Sequence, residues 1–248
     1  MKIDVHFGTS ALTPAELQNK VVAVVDVLRA STSVAVALAN GARTIIPYDS
    51  SEEAITRSRS FEKSHMLLVG ERKMVAIPGF DLGNSPREFT RDAVEGKTLL
   101  MVTTNGTGSL LAVQGVRDVV IASYVNFSAV LAMLRSAARG GSDIAIICAG
   151  RERQFGLEDA GCAGRYARHI AKRLANVEIN DAATAAALID KRYGDNIQRL
   201  LDDSSHGRAL NEAGFAEDLT VCAAIDSYPV IPIYQDRQIT KLGPERER

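Results

Sequence analysis

The chain has no tryptophan, and only 5% of its residues are aromatic. That argues against stacking platforms for bases or sugars. Its charges nearly cancel, 29 Lys+Arg against 30 Asp+Glu, a net charge of −1 over 248 residues. No basic field is present to draw in nucleic acid. No apolar run approaches the roughly 18 residues of a membrane-spanning helix, so no membrane role is expected. The first twenty residues include Asp4 and Glu16 and have no basic leading segment or unbroken apolar core. No signal peptide is expected there. The three cysteines, Cys148, Cys162 and Cys222, are too few and scattered for a disulfide framework. They predict reduced thiols in a cytoplasmic protein.

What is present suits an ordinary globular enzyme: 46% hydrophobic and 24% charged residues. No linker or repeat interrupts the chain, which reads as one domain over 1–248. Short, nearly continuous Val/Ile/Leu runs predict strands at 2–7, 21–27, 44–47, 66–69, 97–103, 118–122, 143–148 and 230–234. Amphipathic stretches predict helices at 31–39, 51–63, 107–114, 126–139, 157–174, 182–193, 197–201 and 207–213. Ser31 and Asn126 are candidate helix caps. This alternation predicts an α/β protein of three layers, α/β/α, with a mostly parallel or mixed sheet.

In such folds ligands bind beyond the carboxyl ends of the strands. Four strand ends carry unusual polar sets. Asp26 follows the second strand, with Arg29, Ser31, Thr32 and Ser33 opening a helix. Gly70-Glu71-Arg72 follows the fourth, Thr103-Thr104-Asn105-Gly106-Thr107 the fifth, and Cys148-Ala149-Gly150 then Glu158-Asp159 the seventh. One rim then gathers Asp26, Glu71, Glu158, Asp159, Arg29 and Arg72, a composition suited to metal-assisted phosphoryl chemistry. Asp81, in the irregular stretch 70–92, offers oxygen to a hard cation. Each set also has a plainer reading: an Asp26–Arg29 ion pair, an ordinary turn at Asn105-Gly106, acids favoured at a helix start.

Several phosphoryl-transfer signatures are missing. Arginine does not stand six residues after Cys148, where Gln154 is found, and Leu28 breaks an Asp-x-Asp motif at Asp26. Gly96-Lys97-Thr98 precedes a strand rather than a helix, unlike a P-loop. His206 is a lesser candidate for a general acid.

The ordered segments VVDVLRASTSV (24–34), GER (70–72), PGFDLGNSP (78–86), TTNGT (103–107), CAG (148–150) and LED (157–159) resemble the 2-phosphosulfolactate phosphatases of coenzyme M biosynthesis. The resemblance implies a family-specific α/β fold and a homodimer. It also implies Mg²⁺-dependent hydrolysis of (R)-2-phospho-3-sulfolactate to 3-sulfolactate and phosphate. That substrate is a small, heavily anionic molecule, its phosphate alone carrying about −1.5 to −2 at neutral pH. On this reading Asp26, Arg29, Glu158 and Asp159 are catalytic, and Mg²⁺ is held by two or three of Asp26, Asp81, Glu158 and Asp159. Arg29 and Arg72 bind anions, with Arg151 and Arg153 in reserve. Ser31, Thr32, Ser33, Asn84, Ser85, Thr104, Asn105, Gly106 and Thr107 complete the substrate site. Attack by water and attack by Asp26 both remain open; the missing Asp-x-Asp favours water. A non-catalytic module that binds a phosphorylated ligand is the alternative.

Overall fold

The computed structural model describes residues 1–9, 12–152, 154–172, 174 and 176–243. Arg153 and the charged tail 244–248 lie outside them. Among the described residues the elements run β1 (Lys2–His6), α1 (Pro14–Leu17), β2 (Lys20–Val25), α2 (Ala30–Ala39), β3 (Thr44–Pro47), α3 (Ser51–Ser58), β4 (Met66–Arg72) and β5 (Val75–Ala76). Then come α4 (Arg91–Val94), β6 (Thr98–Val102), α5 (Gly106–Ala112), β7 (Asp118–Ala122), α6 (Phe127–Arg139), β8 (Asp143–Cys148) and α7 (Leu157–Ala171). The chain closes with β9 (Glu178–Ile179), α8 (Asp181–Tyr193), α9 (Ile197–Asp203), α10 (Ser205–Glu212), α11 (Ala216–Ala223), β10 (Pro232–Gln235) and β11 (Gln238–Lys241).

The strands form one mixed sheet in the order β5-β4-β6-β3-β11-β10-β7-β2-β8-β1-β9. Helices cover both faces, giving the α/β/α layering. β4, β6 and β3 are parallel to one another, as are β7, β2, β8, β1 and β9. Between these blocks the C-terminal hairpin inserts three antiparallel pairings: β3 with β11, β11 with β10, and β10 with β7. Three reversals mean that the blocks run in opposite directions. In a flat sheet their carboxyl ends would lie at opposite edges.

The sheet instead curls around α2. Successive side chains of a strand face opposite sides. Val21, Ala23 and Val25 of β2 pack into a core with α6, α7 and the helical tail. Val22 and Val24 face a second core, shared with Val34, Val36 and Leu38 of α2 and with Val69, Leu99 and Met101 of the other block. A helix enclosed on all sides should be apolar all round. Ala30–Leu38 of α2 is buried throughout. The twist natural to strands, summed over many neighbours, makes such curling cheap. It brings the carboxyl ends of β2 and β6 together.

The helical tail is held by close approach of α8 to α7. A Cβ on Gly164 would stand 1.9 Å from the carbonyl oxygen of Ala186. Gly164→Ala must push backbone apart, so urea unfolding should show a loss of about 1–3 kcal/mol. An unchanged midpoint would show that the two helices separate freely.

Candidate active site

The carboxyl ends of β2, β4 and β6 meet at a cavity of about 320 Å³. Its lining includes Asp26, Arg29, Glu71, Lys73, Met74, Asn84, Thr103, Thr104, Asn105, Arg151, Glu152 and His206. Close packing draws the ends together: a Cβ on Gly106 would lie 2.5 Å from Ala30 Cβ and 3.0 Å from Asp26 Oδ2. Only glycine lets the start of α5 approach the start of α2 so closely.

Asp26 is buried directly after β2. Its Oδ1 accepts from Ala30 N–H (3.2 Å), and its own N–H donates to Ser31 Oγ (2.9 Å). Burial above all, with the nearby Glu71 and Glu158 carboxylates, pushes its pKa up to about 6, against the opposing pull of His206 and the Ala30 N–H. Glu158 lies behind His206. Its Oε1 stands 3.2 Å from His206 Nδ1, and its Oε2 is buried with no hydrogen-bond partner among the described residues. Such an orphaned buried oxygen calls for an explanation, a bound ion among them. Asn84 Oδ1, at the cavity wall, is likewise buried without a partner.

Arg29 stands at the N-cap of α2 after a cis Leu28–Arg29 peptide bond. It donates from Nη1 to Asp218 Oδ2 (2.7 Å) and from Nη2 to the Met74 carbonyl (2.8 Å), and its guanidinium lies 4.4 Å from the centre of the Phe215 ring. Asp218 also accepts from Ser85 Oγ at 2.6 Å. Glu71 ties the strand ends together: Oε1 accepts from Thr104 N–H (2.7 Å), and Oε2 from Thr104 Oγ1 (3.0 Å) and Met74 N–H (2.8 Å). Asn105 Oδ1 accepts from Glu152 N–H at 3.0 Å.

Several residues expected at the site are placed elsewhere. Arg72 is exposed and outside the cavity; β4 extends through it, and alternation turns Glu71 inward and Arg72 toward Glu52 of α3. Asp81 is exposed and also outside, its Oδ2 accepting from Leu68 N–H at 2.8 Å. Ser31, Thr32 and Ser33 face inward because α2 is enclosed; they bond to Val24, Val27, Ser123 and Asn84 rather than meeting the cavity. Arg29, not Ser31, occupies the cap position. Asn126 does precede its helix, but its side chain bonds to Ser123, Ile121 and Val230 instead of capping. Ser85 is tied to Asp218. Asp159 has both oxygens engaged, Oδ1 by Val27 N–H (2.8 Å) and Oδ2 by Gly150 N–H (2.9 Å), which pins β2 to β8. Burial, then Glu158 and Asp26, still pushes its pKa well above the carboxylate range. Gly106 and Thr107 open α5; the Thr107 side chain lies outside what is described.

A divalent cation has a limited set of free oxygens here. Among the described residues, no three His, Cys, Asp or Glu side chains are grouped to hold a metal alone. Of the four expected ligands, Glu158 keeps a buried oxygen, Oε2, without a hydrogen-bond partner among the described residues, and Asp26 Oδ2 stands at the Gly106 contact. Mg²⁺ commonly takes one or two carboxylates and completes its shell with water and substrate oxygens. The orphaned Glu158 Oε2 and the crowding of carboxylates at Asp26 fit that pattern.

The family model described as 2-phosphosulpholactate phosphatase matches residues 8–237. A protein of Symbiobacterium thermophilum named probable 2-phosphosulfolactate phosphatase is 42% identical over 232 residues, 93% of this chain and 98% of that protein. Proteins of the same name from Caldanaerobacter subterraneus subsp. tengcongensis and Clostridium beijerinckii are 36% and 34% identical, over 90% and 97% of this chain and 91% and 99% of theirs. No helix among the described residues is long and apolar enough to cross a membrane. The chain belongs to the 2-phosphosulfolactate phosphatase family, a family of phosphoric monoester hydrolases.

Proposed function

We propose that this chain hydrolyses (R)-2-phospho-3-sulfolactate, or a closely related phosphorylated hydroxy acid, to the free hydroxy acid and phosphate, with Mg²⁺ as cofactor. The observation that carries this reading is the cavity itself. Asp26, His206 with Glu158 behind it, and the cations Arg29, Lys73 and Arg151 stand at a space of about 320 Å³, suited to a small polyanion.

Asp26 and Glu158 would hold Mg²⁺, which when bound neutralises phosphoryl oxygens and polarises phosphorus toward attack. The remaining work falls to the chain's own groups. Water oxygen forms the new bond to phosphorus as the bond to the ester oxygen breaks. The leaving alkoxide is strongly basic and needs a proton. His206, its Nδ1 against Glu158, donates that proton from Nε2 and regains one from the attacking water, so the protons balance. Glu158 fixes the imidazole's orientation. Arg29, held by Asp218 and Met74, presents its charge to the anion without moving, so little reorganisation is needed at the reacting moment.

The test is inorganic phosphate release from 2-phospho-3-sulfolactate, in EDTA and after Mg²⁺ is restored. Activity should vanish in EDTA and return with the ion. Full activity in EDTA contradicts the metal assignment. His206→Gln should lose roughly 100-fold or more in kcat. Binding of the ester without phosphate release under any condition would favour a non-catalytic module.

A further inference from the structure

The turn between β4 and β5 consists of Lys73 and Met74, flanked by the paired residues Arg72 and Val75. Both turn residues have positive φ, 51° and 72°. A two-residue turn of that hand is ordinarily Asn-Gly, because longer side chains are strained there. Neither residue is of that kind. Cavity residues hold the turn in place: Met74 N–H donates to Glu71 Oε2 and the Met74 carbonyl accepts from Arg29 Nη2, each at 2.8 Å. Strain that persists under such clamping is a signature of a functional position. The consequence here is that Lys73 is presented at the cavity wall.

The cations around the cavity differ in what they have left to give. Arg29 is already held by Asp218 and the Met74 carbonyl, and Arg151 donates to the Ser205 carbonyl. Lys73 lines the cavity, and its side chain forms no ion pair or hydrogen bond among the described residues. We propose that Lys73 is a specificity-determining residue: its ammonium binds a second acidic group of the substrate, a sulfonate or carboxylate set apart from the phosphoester. This rests on the hydrolase reading above and deepens it.

Lys73→Gln should lower the enzyme's preference for a second acid. The readout is the ratio of kcat/KM for 2-phospho-3-sulfolactate to that for phenyl phosphate. It should fall roughly tenfold or more, as expected for one lost charge-assisted contact, mainly through KM. Lys73→Arg should restore most of it. Replacing the turn as Lys73→Asn with Met74→Gly should raise Tm by relieving the strain and still lose the preference. An unchanged ratio, whether both rates fall together or neither moves, overturns the assignment. Calorimetry with 3-sulfolactate separates this from failure of the hydrolase reading. Roughly tenfold weaker binding in Lys73→Gln supports the assignment even if no ester is cleaved. Equal affinity in both proteins, or no binding to the wild type, overturns it.

Discussion

Asp26→Asn is expected to give a protein more resistant to unfolding than the wild type at alkaline pH, yet roughly 100-fold slower or worse in phosphate release. The stability half follows from linkage. The Asp26 carboxyl titrates near 3.8 when unfolded and near 6 when folded. Between those values the folded state keeps a proton that the unfolded state has lost. Wild-type stability therefore falls as pH rises through that window and levels off above it. The full shift corresponds to about 2–3 kcal/mol, carried by burying a charge beside Glu71 and Glu158. Asparagine keeps the acceptor for Ala30 N–H and removes the charge, so its unfolding curve lacks that decline. Urea titrations of the two metal-free proteins at several pH values are the check. A variant less stable than wild type at every pH would show that contacts to the ionised Asp26 outweigh the cost of its burial.

Truncating Asp218 is expected to cause a large loss of stability. Its carboxylate is the counter-charge for the buried Arg29 and also accepts from Ser85, joining α2, the 84–88 segment and α11. Asp218→Ala leaves a guanidinium buried without its partner, which costs about 3–5 kcal/mol. Adding Arg29→Met should recover much of that stability, since a buried pair replaced by apolar side chains of similar volume is often neutral. It should not recover turnover, because the anion loses its guanidinium. Unfolding midpoints and initial rates for both variants test this. An Asp218→Ala protein within about 1 kcal/mol of wild type would mean that the guanidinium finds water when its partner goes.

Much of the framework was legible in the amino-acid order. The strands at 44–47, 118–122 and 143–148 coincide with the apolar runs, since strands buried on both faces need such runs. β11 was not legible: only Ile239 of its four residues is buried, too little for a pattern. Yet that strand, with β10, reverses one half of the sheet against the other.

The site was legible in part, for related reasons. Asp26, Arg29, Asn84, Thr104 and Asn105 reach the cavity because each lies in or directly beside a strand end or loop that the sheet's curl brings there. Arg72 and Asp81 do not. β4 runs past its apolar stretch at 66–69 into Gly70-Glu71-Arg72, where no apolar pattern reveals the alternation that sends Glu71 inward. The hydroxyls of Ser31–Ser33 looked like an anion cradle because nothing local told that α2 is enclosed. His206 and Asp218 come from the helical tail, Asp218 at 189 positions from its partner Arg29. No local pattern marks such a pairing; only the folded packing of α9, α10 and α11 creates it.

The most direct test of the central claim is a double-mutant cycle between Asp26→Asn and His206→Gln, read as kcat/KM for phosphate release from 2-phospho-3-sulfolactate. If the two side chains serve one reacting phosphoester, each variant alone loses roughly 100-fold or more, and the double variant is little worse than the slower single. Losses that multiply, or wild-type turnover in either variant, would mean that the strand ends meet without forming a common reaction site.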